Sequence, residues 1–137
     1  MDADEVRKRV RDARVGRLAT VSPDGRPHLV PLCFALDGEV LYSAVDDKPK
    51  RSKRLQRVEN IRNRPRVAVI VDQYDEDWTR LWWVRLDGTA RVLDTGSERE
   101  HALALLRSKY QQYRAQPPTG AVIAVDVVRW RGWSAGT

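Results

Sequence analysis

The sequence predicts a small α+β protein that is mainly β, with about six strands in an antiparallel sheet that forms a small closed or split barrel. Three observations support this fold class. Short apolar and β-branched segments alternate with strong turn signals, which is typical of strands joined by hairpins. Few helical segments interrupt the strands, so consecutive strands are expected to pair. The 137 residues, 42% hydrophobic and 32% charged, can bury a core as one domain spanning residues 1–137.

The first half of the chain predicts one helix and three strands. Apolar residues recur at helical spacing over residues 4–14, and a strand over residues 17–22 follows. The Ser-Pro-Asp-Gly segment at 22–25 predicts a turn into a strand over residues 27–34. Pro31 lies inside that strand and lacks a backbone N–H, which indicates an edge strand, a bulge or a kink that faces a ligand. Asp37-Gly38 then predicts a hairpin into a third strand, residues 40–45.

The second half predicts two helices and three strands. A helix runs to about residue 63, and the continuous apolar run 67–71 predicts a strand that is buried on both faces. The longest strand region, 78–93, places Trp82 on one face and Trp83 on the other, so it needs a second surface beside the core. That surface is a second subunit or a flat ligand; for either tryptophan taken alone, a central strand beneath a helix is the alternative. A helix from residue 97 ends before Pro117, and a last strand covers 121–131. The tail from Gly132 is predicted to be loose, with Trp133 as its candidate anchor.

A basic segment lies at the junction between the third strand and the following helix. Residues 46–54 read Asp-Asp-Lys-Pro-Lys-Arg-Ser-Lys-Arg, with five cations in seven positions. Backbone N–H groups at the start of a helix favour an anion, and cationic side chains beside them strengthen such a site. We interpret this junction as the grip for the phosphate of a nucleotide-like cofactor. The alternative interpretation of the segment alone is a solvated charged loop.

Charge and composition restrict the partners. The formal net charge of +6 favours an anionic partner, whether nucleic acid, acidic lipid or a phosphorylated ligand. The acidic N-terminus lacks the apolar core of a signal peptide, and no apolar run approaches the roughly 20 residues of a membrane span. With a single cysteine, Cys33, no internal disulfide framework is expected. A cytoplasmic location without membrane association is the prediction.

The sequence offers little support for catalysis by the protein's own side chains. His28 and Cys33 fall on opposite faces of one predicted strand, and His101 stands in a helix without a motif around it. We therefore predict no catalytic nucleophile and no metal site. No Gly-x-Gly-x-x-Gly or Walker sequence is present, which excludes Rossmann and P-loop nucleotide sites.

After these exclusions, three features remain as candidates for a binding site. They are the basic junction, an apolar strand that contains proline, and more tryptophans than the core of a small domain is expected to need. A phosphate grip, an apolar platform and an aromatic wall suit a flavin-like ring system. The same ingredients describe a groove for single-stranded nucleic acid. Against nucleic acid, the basic residues alternate with acidic ones and lack interleaved stacking aromatics.

Several segments, taken in order, carry a resemblance to a known family. Residues 16–21 (Gly-Arg-Leu-Ala-Thr-Val) and 24–28 (Asp-Gly-Arg-Pro-His) resemble the opening hairpin of the pyridoxamine 5′-phosphate oxidase-like, flavin reductase-like split β-barrels. Residues 60–68 resemble their helix-to-strand passage, and residues 87–92 resemble the strand after it. Residues 72–78 and 81–85 are similar to an actinobacterial subgroup that uses the deazaflavin coenzyme F420 instead of FMN.

The resemblance implies a six-stranded antiparallel split β-barrel that forms a homodimer, with the cofactor in a groove between the subunits. It implies a phosphate site after the third strand, a ring along the second and third strands, and a wall from the second subunit. The chain between Lys50 and Asn60 is longer than in many relatives, which leaves open which cation grips the phosphate. The implied cofactor-binding residues are Val30, Pro31, Leu32, Ser43, Ala44, Val45, Lys48, Lys50, Arg51, Ser52 and Arg54, with Lys53 as a further candidate, and Trp78 and Trp82 from the partner.

The implied activity is hydride transfer from reduced coenzyme F420 to a small conjugated acceptor, such as an enone, a quinone or a tetrapyrrole. The cofactor supplies that chemistry, which is consistent with a chain that shows no nucleophile or general base. Two further functions are compatible with the fold: an FMN-dependent oxidase or reductase, and a non-catalytic protein that carries or sequesters the cofactor.

Overall fold

The computed structural model describes residues 1–45 and 55–136. These residues form one antiparallel sheet with helices packed against it, so the predicted α+β class is confirmed. In this part of the chain, no helix combines the length and apolar character that crossing a membrane requires. The strands are β1 (Gly16–Val21), β2 (Pro27–Leu32), β3 (Ala35–Asp37), β4 (Val40–Ala44), β5 (Arg66–Gln73), β6 (Trp82–Leu93) and β7 (Val122–Ser134). The helices are α1 (Ala3–Asp12), α2 (Gln56–Asn63), α3 (Ser97–Lys109) and α4 (Gln111–Ala115), with a 3₁₀ turn at Trp78–Arg80.

The sheet curls so that its two edges approach each other. Its order is β2-β1-β5-β6-β7-β4-β3, which makes β2 and β3 the two edge strands. These strands are consecutive in sequence and only Cys33 and Phe34 separate them. Since consecutive Cα atoms lie about 3.8 Å apart, the ends of β2 and β3 can be no more than about 11 Å apart. The structure is therefore a split barrel: the sheet is not closed by hydrogen bonds between β2 and β3, and the chain itself joins its two edges. We call this junction the seam.

Seven strands are present in the described residues where the sequence predicted six, because the segment predicted as one strand over 27–34 ends early. β2 stops at Leu32, and the chain then crosses the seam and pairs with β4 as β3. Of the three alternatives given for Pro31, an edge strand, a bulge or a kink, the structure shows the edge strand, since β2 pairs only with β1 in the described residues. An edge position tolerates a residue that has no N–H to donate. The hairpin predicted at Asp37-Gly38 is also present, with Gly38 at φ +60°.

The core fills the inside of the curled sheet. Large side chains from every part of the sheet are fully buried there, among them Leu18, Phe34, Val69, Leu86 and Val125. A second layer lies outside β4 and β7, where α3 packs its apolar stripe against the outer face of these strands. Full burial of one such side chain contributes about 1.5–3 kcal/mol, so the inner cluster is the main source of stability.

The hydroxyl of Tyr110 connects three backbone groups at the seam. It accepts a hydrogen bond from the N–H of Phe34 at 3.0 Å. It also lies within donor distance of two carbonyl oxygens, that of Phe34 at 3.0 Å and that of Arg14 at 2.9 Å. Burial raises the pKa of Tyr110 to about 12, so the hydroxyl keeps its proton at neutral pH. The Tyr110 hydroxyl thus gives hydrogen-bond partners to backbone groups at the seam, where β2 and β3 do not pair with each other.

Replacing Tyr110 with Phe should remove this connection while keeping the ring. We expect the free energy of unfolding to fall by about 1–3 kcal/mol, because the buried N–H of Phe34 loses its acceptor. Urea unfolding followed by tryptophan fluorescence measures the change. Tyr74→Phe is the matched control, since that ring is exposed and its hydroxyl bonds the nearby Glu76 at the surface. An equal effect of both substitutions would contradict the role given to the seam hydroxyl.

An ion-pair network holds α3 to the sheet. Arg91 of β6 bonds Glu98 of α3 through two N–H groups at 2.8 and 2.9 Å, and it also bonds Asp126 of β7 at 2.7 Å. The hydroxyl of Tyr42 donates to the same Glu98 at 2.8 Å. These bonds, that from Arg91 foremost, lower the pKa of Glu98 to about 2.

Replacing Glu98 with Gln should make stability less dependent on pH. The lowered pKa of Glu98 stabilises the folded protein above its ordinary pKa of 4.5, and that stabilisation is lost as the pH falls toward about 2. We expect E98Q to cost up to about 1 kcal/mol at pH 7, because the network is partly solvent-exposed. Thermal unfolding from pH 7 downward should show the difference shrinking below pH 4.5. Glu100→Gln, which lies on the same helix and pairs with the adjacent Arg99, is the control. A difference that stays constant with pH would exclude Glu98 as its source.

Candidate cofactor and ligand site

The residues predicted on β2 point in alternating directions. Val30 and Leu32 contact the core, whereas Pro31 is exposed on the outer face. Leu29 is 69% exposed on the same outer face as Pro31, and sequence analysis did not select it. Of the three predicted β2 residues, Pro31 therefore offers its side chain to a ligand, and Leu29 joins it.

The residues predicted on β4 are close to the seam. The hydroxyl of Ser43 donates to the carbonyl of Cys33 at 2.8 Å, which ties β4 to the link between the two edges. Val45 lies in the core, and its N–H donates to the carbonyl of Ala121 at 2.8 Å. Ala44 points the other way and packs beneath α3. The structure thus brings Ser43 and Val45 to the inner side of the seam and leaves Ala44 on the outer side.

The predicted phosphate grip lies outside the described residues. This applies to Lys48, Lys50, Arg51, Ser52 and Arg54, and to Lys53. The flanking elements are described: β4 leads to Val45 on one side, and α2 begins after Leu55 on the other. The strand predicted before the basic segment and the helix predicted after it are therefore both present.

A chain of side-chain hydrogen bonds fixes α2 beside the sheet. Asn60 is fully buried, and its amide donates to the hydroxyl of Thr20 on β1 at 2.9 Å. Gln56, in the first turn of the helix, donates to the Asn60 amide oxygen at 2.8 Å. A buried amide needs such partners, because an unpaired one would cost free energy. The helix start that follows the basic segment is thereby held in a defined position against the barrel.

Lys109 adds a buried cation next to the seam. Its ammonium nitrogen lies 4.0 Å from the centre of the Phe34 ring and 5.3 Å from that of Tyr110. No hydrogen-bond partner for it is present among the described residues. Burial lowers the pKa of Lys109 to about 8. Contact with aromatic faces replaces part of the hydration that the ammonium loses.

The tryptophans of β6 take opposite faces, as predicted. Trp82 packs against the core cluster, with the Arg9 guanidinium carbon 5.4 Å from its ring centre. Trp83 projects to the outer face, where Asp72 of β5 and Trp133 of β7 are its cross-strand partners. Trp78 stands in the 3₁₀ turn before the strand and is 66% exposed. Trp82 and Trp78, the two predicted site residues, therefore have different surroundings.

A cavity of about 400 Å³ opens beside Trp83. We call it the tryptophan cavity. Its walls are mostly apolar, and the charged residues at its rim, Asp72 and Arg85, have ion partners elsewhere in the sheet. This volume and a mostly apolar lining are typical of small-molecule sites. The apolar wall consists of Ile70, Tyr74, Leu81, Trp82, Trp83 and Trp133.

The prediction of a loose tail from Gly132 is wrong, and sequence analysis named Trp133 only as an anchor of that tail because it ended the last strand at residue 131. β7 continues to Ser134, and Trp133 pairs directly with Trp83. Gly132 packs tightly: a Cβ there would lie 3.0 Å from the Met1 side chain and 3.1 Å from that of Val6. Among residues 1–45 and 55–136, no group of His, Cys, Asp and Glu is placed to hold a metal ion.

Comparison with protein families gives one match that covers nearly the whole chain. The profile of the family described as pyridoxamine 5′-phosphate oxidase matches residues 3–134. A curated relative, a 5a,11a-dehydrotetracycline/5a,11a-dehydrooxytetracycline reductase from Streptomyces rimosus subsp. rimosus, is 36% identical over 84 residues. That alignment spans 59% of this chain and 56% of the relative.

Two solved structures illustrate the likeness of the fold. A conserved hypothetical protein from Mycobacterium tuberculosis superimposes with a TM-score of 0.80 at 22% identity, over 98% of this chain and 85% of the other. An FAD-binding protein from Mesorhizobium loti gives a TM-score of 0.74 at 26% identity, over 96% of this chain and 94% of the other.

Proposed function

The chain belongs to the pyridoxamine 5′-phosphate oxidase family, and on that premise we propose that it is an oxidoreductase that uses coenzyme F420. In this proposal it reduces a small conjugated acceptor. The observation that carries the proposal is the arrangement at the seam. There an exposed apolar edge and β4 lie together, and the run of five cations follows β4 directly in the sequence.

The relatives support the coarser part of the proposal. The similar protein from Streptomyces rimosus is a reductase, and the similar protein from Mesorhizobium loti binds FAD. The first favours redox chemistry, and the second favours a flavin-type ring. The choice of a deazaflavin depends on the resemblance of residues 72–78 and 81–85 to the subgroup that uses it. A long anionic cofactor tail also accounts for a net charge of +6 better than a compact FMN phosphate does.

The described residues fit a flat ring at the edge strand. β2 pairs on one side, so backbone N–H and C=O groups on its other side are available to the polar edge of a ring. Pro31 and Leu29 add exposed apolar surface. Lys48, Lys50, Arg51, Ser52 and Arg54 would hold the phosphate, since cations and a hydroxyl suit its oxygens. When bound in reduced form, the coenzyme supplies a hydride, and the acceptor takes it up with a proton from solvent.

A homodimer would complete the site. The outer face of the sheet exposes large apolar side chains, among them Leu29, Ile70 and Trp133. Such a surface favours contact with another protein surface. We propose that a second copy covers this face and that its Trp78 and Trp82 region borders the cofactor. The protein's own role is then to hold the ring, to exclude water and to admit the acceptor.

Two further candidate functions differ from this one in cofactor or in turnover. An FMN-dependent oxidase or reductase of the same fold would purify as a yellow protein, and the similarity to an FAD-binding protein supports this candidate. A non-catalytic carrier would bind the cofactor and reduce none of a panel of enones, quinones and tetrapyrroles.

Titration with the deazaflavin tests the proposal directly. We expect the fluorescence of coenzyme F420 to change and to saturate at micromolar protein, with FMN binding more weakly in a parallel titration. The physical reason is the longer anionic tail, which more of the cations can contact. Absence of binding at tens of micromolar would reject the proposal. Tight binding of FMN alone would select the FMN-dependent enzyme.

Replacing Lys50 with Ala should weaken cofactor binding without unfolding the protein. A charge-assisted hydrogen bond contributes about 1.5–3 kcal/mol, so we expect the Kd to rise roughly ten- to a hundredfold. The melting temperature should stay within a few degrees, which circular dichroism verifies. Lys8→Ala is the matched control, because Lys8 is an exposed lysine of α1 that pairs with Asp12. If K50A bound the cofactor with unchanged affinity, the phosphate contact would be assigned to Lys48, Lys53 or Arg54 instead.

A further inference from the structure

Two indole rings form one wall of the tryptophan cavity on the outer face of the sheet. Trp83 of β6 is directly opposite Trp133 of β7, and Asp72 of β5 is opposite Trp83 on the other side. Residues that are directly opposite each other on antiparallel strands point to the same face, with their Cβ atoms about 4.5–5.5 Å apart. The two indoles therefore stand side by side as one aromatic surface. Trp133 is 46% exposed, so this surface is accessible in a single subunit.

The charges in the described lining cancel each other and have partners within the sheet. The lining carries one carboxylate, that of Asp72, and one guanidinium, that of Arg85. Asp72 forms an ion pair with Arg17 at 3.5 Å, and Arg85 lies 3.2 Å from the Asp87 carboxylate. A charged ligand would lose hydration on entering an apolar cavity, and this lining has no net charge to replace it. The walls therefore favour an uncharged ligand.

Two polar side chains in the lining also have hydrogen-bond partners. The Gln73 amide donates to the carbonyl of Arg80 at 3.3 Å, and the Tyr74 hydroxyl donates to the Glu76 carboxylate at 2.6 Å. The remaining described lining is aliphatic or indole surface. Flat rings pack against such a surface by offset stacking. The volume of about 400 Å³ lies at the lower end of the range of small-molecule sites, which suits a compound of two or three fused rings.

We infer that the tryptophan cavity binds an uncharged, planar aromatic compound of two or three fused rings. The ring system lies against Trp83 and Trp133. As the binding site of the reductase's acceptor, this inference rests on the proposed function. It then removes tetrapyrroles, which carry carboxylate side chains, from the acceptor classes and keeps the uncharged ones. The binding itself needs no cofactor.

The proposed homodimer would enclose this ligand. Ile70 and Trp133 line the cavity, and both also belong to the outer face that we propose a second copy covers. The cavity then lies between the subunits, where the partner shields the free side of the ring from water. Removal of more apolar area from water strengthens binding.

Three probes with the same two-ring body separate the effect of charge. They are 2-naphthalenemethanol, which is neutral, 2-naphthoate, which is an anion, and 2-naphthylmethylammonium, which is a cation. Isothermal titration of the purified protein without cofactor gives the three Kd values. We expect the neutral alcohol to bind at least about fivefold more tightly than either ion, because the lining has no net charge to compensate for lost hydration. An ion that binds as tightly as the alcohol, or no binding by any of the three, would overturn the inference.

A saturated analogue and a variant test the contact with the indoles. Decahydro-2-naphthalenemethanol, which cannot lie flat, should bind more weakly than the aromatic alcohol. Trp133→Ala should weaken binding of the aromatic alcohol at least about fivefold, because it removes half of the indole surface. Val128→Ala is the matched control, since Val128 is an exposed apolar residue of the same strand and does not line the cavity. Unchanged affinity in W133A would contradict the inference.

Spectroscopy locates the ring without relying on a variant that folds. In ¹H–¹⁵N spectra, 2-naphthalenemethanol should shift the indole N–H signals of Trp83 and Trp133, and leave that of Trp130 in place, since Trp130 does not line the cavity. Shifts confined to Trp78 or Trp130 would reject the site. If the alcohol binds as expected while coenzyme F420 and FMN do not bind, the ligand site stands and the proposed oxidoreductase function fails. If the coenzyme binds and none of the probes does, the proposed function stands and the inference fails.

Discussion

The whole arrangement depends on the link that joins the two edges of the sheet. Because β2 and β3 are separated by two residues, the sheet must curl, and the curl creates the inside that Phe34, Leu18 and Val69 fill. The link has no strand ladder to satisfy its backbone, so the Tyr110 hydroxyl supplies the missing partner. The same constraint leaves β2 as an exposed edge, and the basic segment follows β4 in the sequence. Stability and the proposed cofactor site therefore share one geometric cause.

Local signals in the sequence sufficed for much of the fold. Pro31 included an edge strand among its three alternatives, because a missing N–H is tolerated where no neighbouring strand needs it. Asp37-Gly38 identified a hairpin, since glycine accepts positive φ there. The alternation around Trp82 and Trp83 indicated their opposite faces correctly. Each of these properties depends on a few consecutive residues, so a local sequence pattern can predict it.

The same reasoning did not predict properties that depend on contacts between residues far apart in the sequence. The pairing of Trp83 with Trp133 depends on the register of β6 against β7, which an irregularity at Asp87 and Gly88 shifts. A Cβ on Gly88 would lie 2.4 Å from the Asp126 carbonyl oxygen, so that glycine permits a close approach between strands. Gly132 likewise makes room for α1, although its sequence context suggests the end of a strand. In both cases the reason for glycine lies on another element.

The distribution of charge supports a functional role for the cations better than their number does. Several arginines are neutralised within the fold: Arg91 by Glu98 and Asp126, and Arg7 by Glu39 at 2.8 Å. Such pairs contribute to structure and leave little attraction for a ligand. Arg80 is paired more loosely, with 3.9 Å between its Nε and the Asp75 carboxylate. Because these arginines have carboxylate partners within the fold, the net charge by itself does not locate an anion site. The proposed phosphate site depends instead on the run of five cations that follows β4 in the sequence.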